Sequence, residues 1–480
     1  MVNFILNENE VSTALPPGML LLDFIRYSQH LKGTKIGCRE GDCGACTILV
    51  GEIAGEKIRY RTATSCLMPI GNANGKHIVT IEGINSVGLN PIQQAMVDEG
   101  ATQCGFCTPG FVMSFAGHCL SGNEPTTKNA VASIDGNICR CTGYKSIERA
   151  ATRINELLIS RREETASKFA VENNILPEYF LQIEARLKLL NSELDVLQID
   201  LSSDRSINFL AGGTDLYVQK HDAMTSSDIS FLSEKSFLKG ISKEGNRCIM
   251  GASTTVTDLC ESEIISAHFP HFTKFAKLVS STQIRNMATL AGNFVNASPI
   301  GDFTVFFLAL DAVLVLSDGD KMREVPLRNF YKGYKVLDKK PEEFLEKIYF
   351  ELPYEYSKFN FEKVSKRTHL DIASVNTAIK LTINANKIEK ANVSAGGVAP
   401  VPLFLSKASA FLSGKSVSPE VIEEAIQIAQ AEIAPISDAR GSEEYKRLLL
   451  SQLMKAHFIE MFPSLKAELS LALCFTNRIK

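Results

Sequence analysis

Apolar residues recur at every second position through Val2, Phe4 and Leu6, and β-branched runs follow at Thr47 to Val50 and at Ile78 to Ile81, which is the pattern of strands. Between the first two, Leu21, Leu22 and Ile25 fall at helical spacing, so residues 1–85 are expected to form a small sheet crossed by one helix. From Pro91 the period changes to that of a helix: Ile92, Ala95 and Met96, then Phe111, Val112 and Phe115, then Ile147, Ala150, Ile154 and Leu157. Pro91, Pro109 and Pro125 each stand where a helix is expected to begin, because the first turn has no partner for the missing N–H. The charged stretch Arg161 to Lys168 is expected to close this bundle and open a linker. From about residue 175 to 370 short apolar runs alternate with helical patterns, as in a mixed α/β domain. Strands are expected near 374–398 and helices near 418–431 and 442–458, and no internal repeat is found.

A chain of 480 residues exceeds one hydrophobic core, so several domains are expected. Hydrophobic residues at 45% and charged residues at 22% exclude disordered and collagen-like classes. A net charge of -3 supplies no basic footprint for nucleic acid or anionic lipid, so neither partner is expected. The first eight residues lack a basic leader, and no stretch reaches the roughly 18 apolar residues of a membrane span. A cytoplasmic protein is expected.

Cysteine changes the picture. Nine of the twelve lie before Gly143, eight of them in two sets of four, and in a reducing compartment those eight point to metal-binding thiolates rather than disulfides. Cys38, Cys43 and Cys46, with Cys66 further on, have the plant-type ferredoxin spacing, and glycines interleaved among them let the backbone curl round a [2Fe-2S] core. A zinc site would also take four thiolates, usually from two CxxC knuckles rather than one wrapping loop. Cys104 and Cys107 form one further pair and Cys139 and Cys141 another, each leading into a helix start, and by spacing alone they suit zinc as well as iron. Cys119, Cys248, Cys260 and Cys474 show no ligand spacing and read mostly as buried small hydrophobes.

A third region is rich in glycine. An apolar strand runs through Ile207 and Leu210 into Ala211, Gly212, Gly213, Thr214 and Asp215, where successive N–H groups suit a pyrophosphate. A Gly-Gly turn is also common without any cofactor, and the GxGxxG and P-loop fingerprints are absent. Ser281 to Asp302 is a second segment of small, hydroxyl and amide residues suited to close packing against a dinucleotide.

The strings Gln103-Cys104-Gly105-Phe106-Cys107-Thr108-Pro109-Gly110 and Gly136-Asn137-Ile138-Cys139-Arg140-Cys141-Thr142-Gly143-Tyr144 resemble the molybdenum hydroxylases, the xanthine dehydrogenase and aldehyde oxidase family. So do the glycine-rich segments, Ser365 to Arg367, Ala395 to Pro400 and Ile436 to Ser442. The resemblance implies a multidomain α+β chain. It would hold a β-grasp [2Fe-2S] ferredoxin domain (1–85), a four-helix [2Fe-2S] domain (86–162), a linker (163–190), a vanillyl-alcohol-oxidase-type FAD domain (191–365) and a C-terminal α/β flavoprotein subdomain (366–480). It implies that the eight cysteines hold two [2Fe-2S] clusters and that Leu210 to Asp215 cradle the FAD pyrophosphate. Thr289, Gly292, Asn293, Ser298 and Asp302 would line the flavin, with departures from the family at Ala291 and Asn296. Asp438 and Arg440 are expected to make surface or interdomain pairs.

No molybdenum cradle is recognisable in the chain, so the resemblance further implies a molybdopterin-binding large subunit, in a heterotetramer with two copies of each chain. Electrons would pass through both clusters to FAD and then NAD, during oxidation of hypoxanthine and xanthine to urate. Service to an aldehyde or N-heterocycle hydroxylase, or a zinc-stabilised binding protein, are the alternatives.

Overall fold

The computed structural model describes residues 1–161, 165–194, 208–233, 235–385 and 387–469. They group into two units, Met1–Glu234 with Ser281–Ala288, and Lys235–Ser280 with Thr289–Lys480.

The first unit opens with a five-stranded sheet in the order Asn9–Thr13, Val2–Leu6, His77–Val79, Thr47–Ala54, Lys57–Thr64. Val2–Leu6 pairs parallel with His77–Val79 and the other neighbours are antiparallel, which is the β-grasp arrangement. The expected helix forms as Leu21–Asp23 and continues as a π-helical turn, Phe24–Ser28. Its Leu21, Phe24 and Ile25 pack on Val2, Phe4, Leu6, Ile48 and Ile78 of the sheet. The run expected as a strand through Ile81 stops at Val79, and a 3-10 turn follows.

Four helices come next: Pro91–Asp98, Thr108–Leu120, Thr127–Ala132 and Lys145–Leu158. A reciprocal cap between Asn90 and Gln93 starts the first, and Thr126 caps the third, so Pro125 precedes its cap rather than opening the helix. The fourth buries Ile147, Ala150, Ala151, Ile154 and Leu158, one stripe at 3- and 4-residue intervals.

The stretch expected as a linker, 163–190, is folded. Residues 162–164 lie outside the described residues, and after them come the helices Ala166–Glu172 and Phe180–Leu194. Phe169 and Ala170 join the helical core, while Ile183 and Leu187 cover Ile5 at the back of the ferredoxin sheet. Asn208–Leu210, pairing parallel with Ile229–Phe231, completes the unit, and the expected strand residue Ile207 lies outside the described residues.

The second unit holds an antiparallel sheet in the order Met322–Pro326, Val313–Ser317, Phe344–Glu351, Arg247–Gly251, Ile241–Glu244. The helix Asp302–Ala309, buried from Phe303 to Ala309, lies against the strands Val375–Asn384 and Lys387–Gly396 of the unit's other sheet. Phe306 and Phe307 are in ring contact with Phe269, Phe350 and Phe359. A second sheet, Ser357–Val364, Val375–Asn384, Lys387–Gly396 and Leu403–Phe404, is antiparallel and carries the helices Ser406–Leu412, Pro419–Glu432 and Glu443–Met461. Among the described residues no helix is long and apolar enough to cross a membrane.

Candidate iron-sulfur and flavin sites

The first four cysteines lie in the first unit, Cys38, Cys43 and Cys46 in a loop where Arg39, Gly41 and Gly44 take positive φ (59°, 79° and 66°) and Cys66 in the turn after the strand Lys57–Thr64. That curl turns amides toward sulfur: the Cys38 N–H donates to Cys43 Sγ at 3.4 Å and the Glu40 N–H to Cys38 Sγ at 3.3 Å. Arg39 anchors the loop to the helix behind it through two bonds to Asp23, at 2.7 and 3.1 Å. The thiols meet in twos, Cys38 with Cys43 and Cys46 with Cys66. Within each pair one sulfur is stabilised as the thiolate by accepting a hydrogen bond from the other's S–H, which keeps its proton. The Cys43 thiol, helped by amides of the loop, brings Cys38 down to about 5, and Cys46 is held low by Cys66 in the same way. Cys46 and Cys66 are buried, with Cys38 and Cys43 nearer the surface.

The second set is built at two helix starts. Cys107 stands at the N-cap of Thr108–Leu120, and Tyr144, left-handed at φ 69°, stands at that of Lys145–Leu158. Cys104 and Cys141 are 3.6 Å apart, and Cys107 bonds to Cys139. Burial, followed by the bond to Cys139, pushes the Cys107 thiol up to about 12. Burial also opposes ionisation of Cys139, yet the Thr142 hydroxyl (3.2 Å) and amide (3.5 Å), with the Cys141 amide, hold it below its usual value. The Tyr144 hydroxyl accepts from the Cys139 N–H at 3.0 Å and closes the loop. Cys104 and Cys141 are exposed.

Four thiols arranged as two pairs fit a [2Fe-2S] cluster, in which each iron takes two thiolates. A single tetrahedral ion instead draws all its ligands to one point. Among the described residues no three His, Cys, Asp or Glu side chains converge in that way. Cys119 and Cys248 are buried, their thiols pushed up to about 12 by burial, Cys260 is half-buried, and Cys474 lies outside the described residues.

The flavin residues expected from sequence are divided between the units. In the first, Leu210 is buried and leads into a tight loop. A Cβ on Gly212 would lie 2.0 Å from the Met287 carbonyl oxygen, and Gly213, at φ 79°, passes Leu67 O at 3.0 Å from its Cβ direction. Asn72, absent from the sequence reading, donates to Ala211 O at 2.8 Å and accepts from Ser233 at 2.7 Å, fixing the loop from below. Thr214 and Asp215 are half-exposed ahead of the short helix Leu216–Gln219.

In the second unit, Thr289 caps the helix Leu290–Asn296 by accepting from the Gly292 N–H at 3.1 Å. Asn293 accepts from the Thr304 amide (3.1 Å) and hydroxyl (3.0 Å), which brings this helix to the start of Asp302–Ala309. Asp302 is held by Lys363 at 2.7 Å and Asn376 at 2.6 Å. Lys363 and Asn376 were missed in the sequence, where no motif marks them. Asn296 accepts from Lys335 at 3.0 Å. Asp438 pairs with Lys446 at 2.8 Å, and the lysine side chain is only 3% exposed, so this is a largely buried pair rather than a surface one.

Comparison with known proteins follows the same division. Residues 4–71 match the 2Fe-2S iron-sulfur cluster binding domain and residues 80–152 the [2Fe-2S] binding domain. Residues 190–354 match the FAD binding domain in molybdopterin dehydrogenase, and 361–461 the CO dehydrogenase flavoprotein C-terminal domain. Xanthine dehydrogenase of Emericella nidulans is 30% identical over 86% of this chain and 35% of its own length. Aldehyde oxidase 2 of Macaca fascicularis is 25% identical over 97% of this chain and 39% of its own. The chain thus spans between a third and two fifths of the length of these relatives. Among solved structures, a Cu,Mo-CO dehydrogenase in its cyanide-inactivated form superposes with a TM-score of 0.50 at 28% identity, over 52% of this chain and 88% of the other. Carbon monoxide dehydrogenase from Hydrogenophaga pseudoflava, lacking the Mo-pyranopterin moiety, gives 0.50 at 26% identity, over 55% and 90%. With two paired thiol sets followed by both flavoprotein domains in this order, the chain belongs to the molybdenum hydroxylase family, as its iron-sulfur and FAD portion.

Proposed function

We propose that this chain is the electron-transfer component of a molybdenum hydroxylase. It takes electrons from a molybdopterin-bearing large subunit at the Cys104, Cys107, Cys139 and Cys141 set and passes them through the Cys38, Cys43, Cys46 and Cys66 set to FAD, then to NAD.

The observation that carries this reading is a gradient of exposure within the first unit. Cys104 and Cys141 are at the surface, ringed by exposed Phe106, Ile138 and Tyr144, an apolar rim suited to a protein partner. Cys46 and Cys66 are buried, and they share a core cluster with Leu210 and Tyr217 on either side of the glycine loop. Electrons therefore have an outer and an inner end. A bound flavin exchanges electrons singly with iron and in pairs with a nicotinamide. For the chain's own part, Leu210 to Asp215 offer amides to the pyrophosphate, and Thr289, Gly292, Asn293, Ser298 and Asp302 shape the region assigned to the flavin.

Hypoxanthine and xanthine, oxidised to urate, are the proposed substrates of the complex, supported by the xanthine dehydrogenase relatives. A heterotetramer of two copies of each chain in the cytoplasm is the proposed assembly. The test is to purify the chain anaerobically with the products of neighbouring genes and measure metals, flavin and turnover. About four irons and one FAD per chain are expected, with molybdenum in the partner, turnover of purines and reoxidation by NAD. Fewer irons, or colourless zinc protein, overturns the electron-transfer reading. Turnover of aldehydes without purines transfers the chain to the aldehyde oxidase branch, which the relative of Macaca fascicularis also represents. Reoxidation by oxygen and not by NAD removes the nicotinamide step.

A further inference from the structure

The two cysteine loops meet at a junction that ligand spacing does not account for. The amide of Ile138, next to Cys139, donates to the carbonyl of Cys43 at 3.0 Å. One hydrogen bond therefore joins the neighbour of a thiol in the outer set to a residue that carries a thiol in the inner set. Beside it lies Asn137, 5% exposed. Its Nδ2 donates to Gly44 O at 3.1 Å, and its Oδ1 accepts from Ser114 Oγ at 2.7 Å and Gln283 Nε2 at 3.1 Å. A single primary amide thus ties the loop of Cys43 and Cys46 to the helix that follows Cys107, and both to the segment Ser281–Ala288.

At Gly44 and Gly110 backbone approaches too closely for any side chain, and at Gly136 the Gln283 side chain fills the space. A Cβ on Gly44 would lie 2.3 Å from Gly136 O, one on Gly110 would lie 2.2 Å from Gly44 O, and one on Gly136 would lie 2.0 Å from Gln283 Oε1. Such contact, together with an amide using both its donor and its acceptor, leaves the separation of the loops little freedom. Electron transfer falls steeply with the gap to be crossed, and a hydrogen-bonded bridge is a shorter path than one through space.

We propose that Asn137 is the positioning residue for electron transfer between the two iron-sulfur sites, holding Ile138 against Cys43 so that the electron crosses at that bond. The proposal rests on the reading that both thiol sets bind iron. One electron leaves the Cys104, Cys107, Cys139 and Cys141 side, which is oxidised by one unit, and reduces the Cys38, Cys43, Cys46 and Cys66 side by one. No bond breaks, and the Ile138 proton stays on nitrogen.

The test uses the full chain, reduced anaerobically, as wild type, Asn137→Leu and Gln283→Leu. Electron paramagnetic resonance reads both sites and the magnetic interaction between them, and flash reduction reads the redistribution of an injected electron. Both variants are expected to keep about four irons per chain and both signals. In Asn137→Leu the interaction weakens, and redistribution slows severalfold as the gap between the sites widens. Gln283→Leu, which removes one of the two bonds to Oδ1, is expected to fall between. Unchanged interaction and redistribution in an iron-replete Asn137→Leu chain would overturn the proposal. Should that variant lose iron, an iron-replete Gln283→Leu chain with wild-type interaction would do the same, leaving Asn137 a scaffold of the ligand loop. Absence of two signals from the wild type would instead sink the iron reading itself.

Discussion

Asp302 begins its helix, where the N-terminal dipole favours a carboxylate, but its main counter-charge is Lys363, whose side chain is only 2% exposed. The lysine also donates to Leu278 O, and Asn376 occupies the other carboxylate oxygen. A buried charge is tolerated only while paired. Asp302→Ala is therefore expected to destabilise the protein by about 3–5 kcal/mol, and Asp302→Ala with Lys363→Met to recover much of the loss. Chemical unfolding of the three chains measures this; equal destabilisation by the single and double variants would show that the lysine is not what suffers. None of this was legible in sequence, since Lys363 stands 61 positions from its partner and belongs to no motif. The two sets of four thiols were legible because the spacing that marks them is local. Asn137 sat within a string already read, yet its role depends on Gly44, 93 positions away, and appears only once the two loops touch.

The helix Phe180–Leu194 shows what happens when an element's partner is remote. The charges from Arg161 to Lys168 pointed to a linker, and the helices beyond them bury their apolar residues on parts of the chain far back in sequence. Phe180 is buried against Tyr60, His77 and Tyr179, and Arg186 reaches back to Glu10. Truncating that ring leaves a cavity between the helix and the sheet, so Phe180→Ala is expected to cost about 3–5 kcal/mol. A cost near zero in urea unfolding would mean that the helix is merely laid on the surface. The strands Asn9–Thr13 and Lys57–Thr64 escaped sequence reading for a related reason: both lie at sheet edges and show mixed polar faces. The central strands of the first sheet, three of the four bundle helices and the two C-terminal helices bury a full stripe or face and carried their period openly, whereas Thr127–Ala132 buries only Ala130.

Both units bury neutral imidazoles. Burial brings His77 down to about 3, His118 to about 4 and His457 to about 3, from an ordinary value of 6.5. His77 bonds to the Tyr60 hydroxyl and Asn7 O, and His457 lies between Asn360 and Thr377. A depressed folded value means that the unfolded chain binds protons the native chain refuses. Stability from these sites is then complete above pH 6.5 and falls progressively as pH drops from 6.5 toward 4. Urea midpoints measured across that range should decline before the carboxylates titrate, and a flat profile would show that the imidazoles protonate in place.

Ser281–Ala288 comes from the flavoprotein part of the sequence but belongs to the first unit. Arg285 pairs with Asp135 at 2.6 Å, Asn286 donates to Thr62 O at 2.8 Å, and Ile284 presses on Gly41 in the cysteine loop. A gene cut near residue 190, the natural place to separate redox protein from flavoprotein, would leave the shorter product with an exposed apolar scar and unmatched amide and carboxylate groups at its cysteine loops.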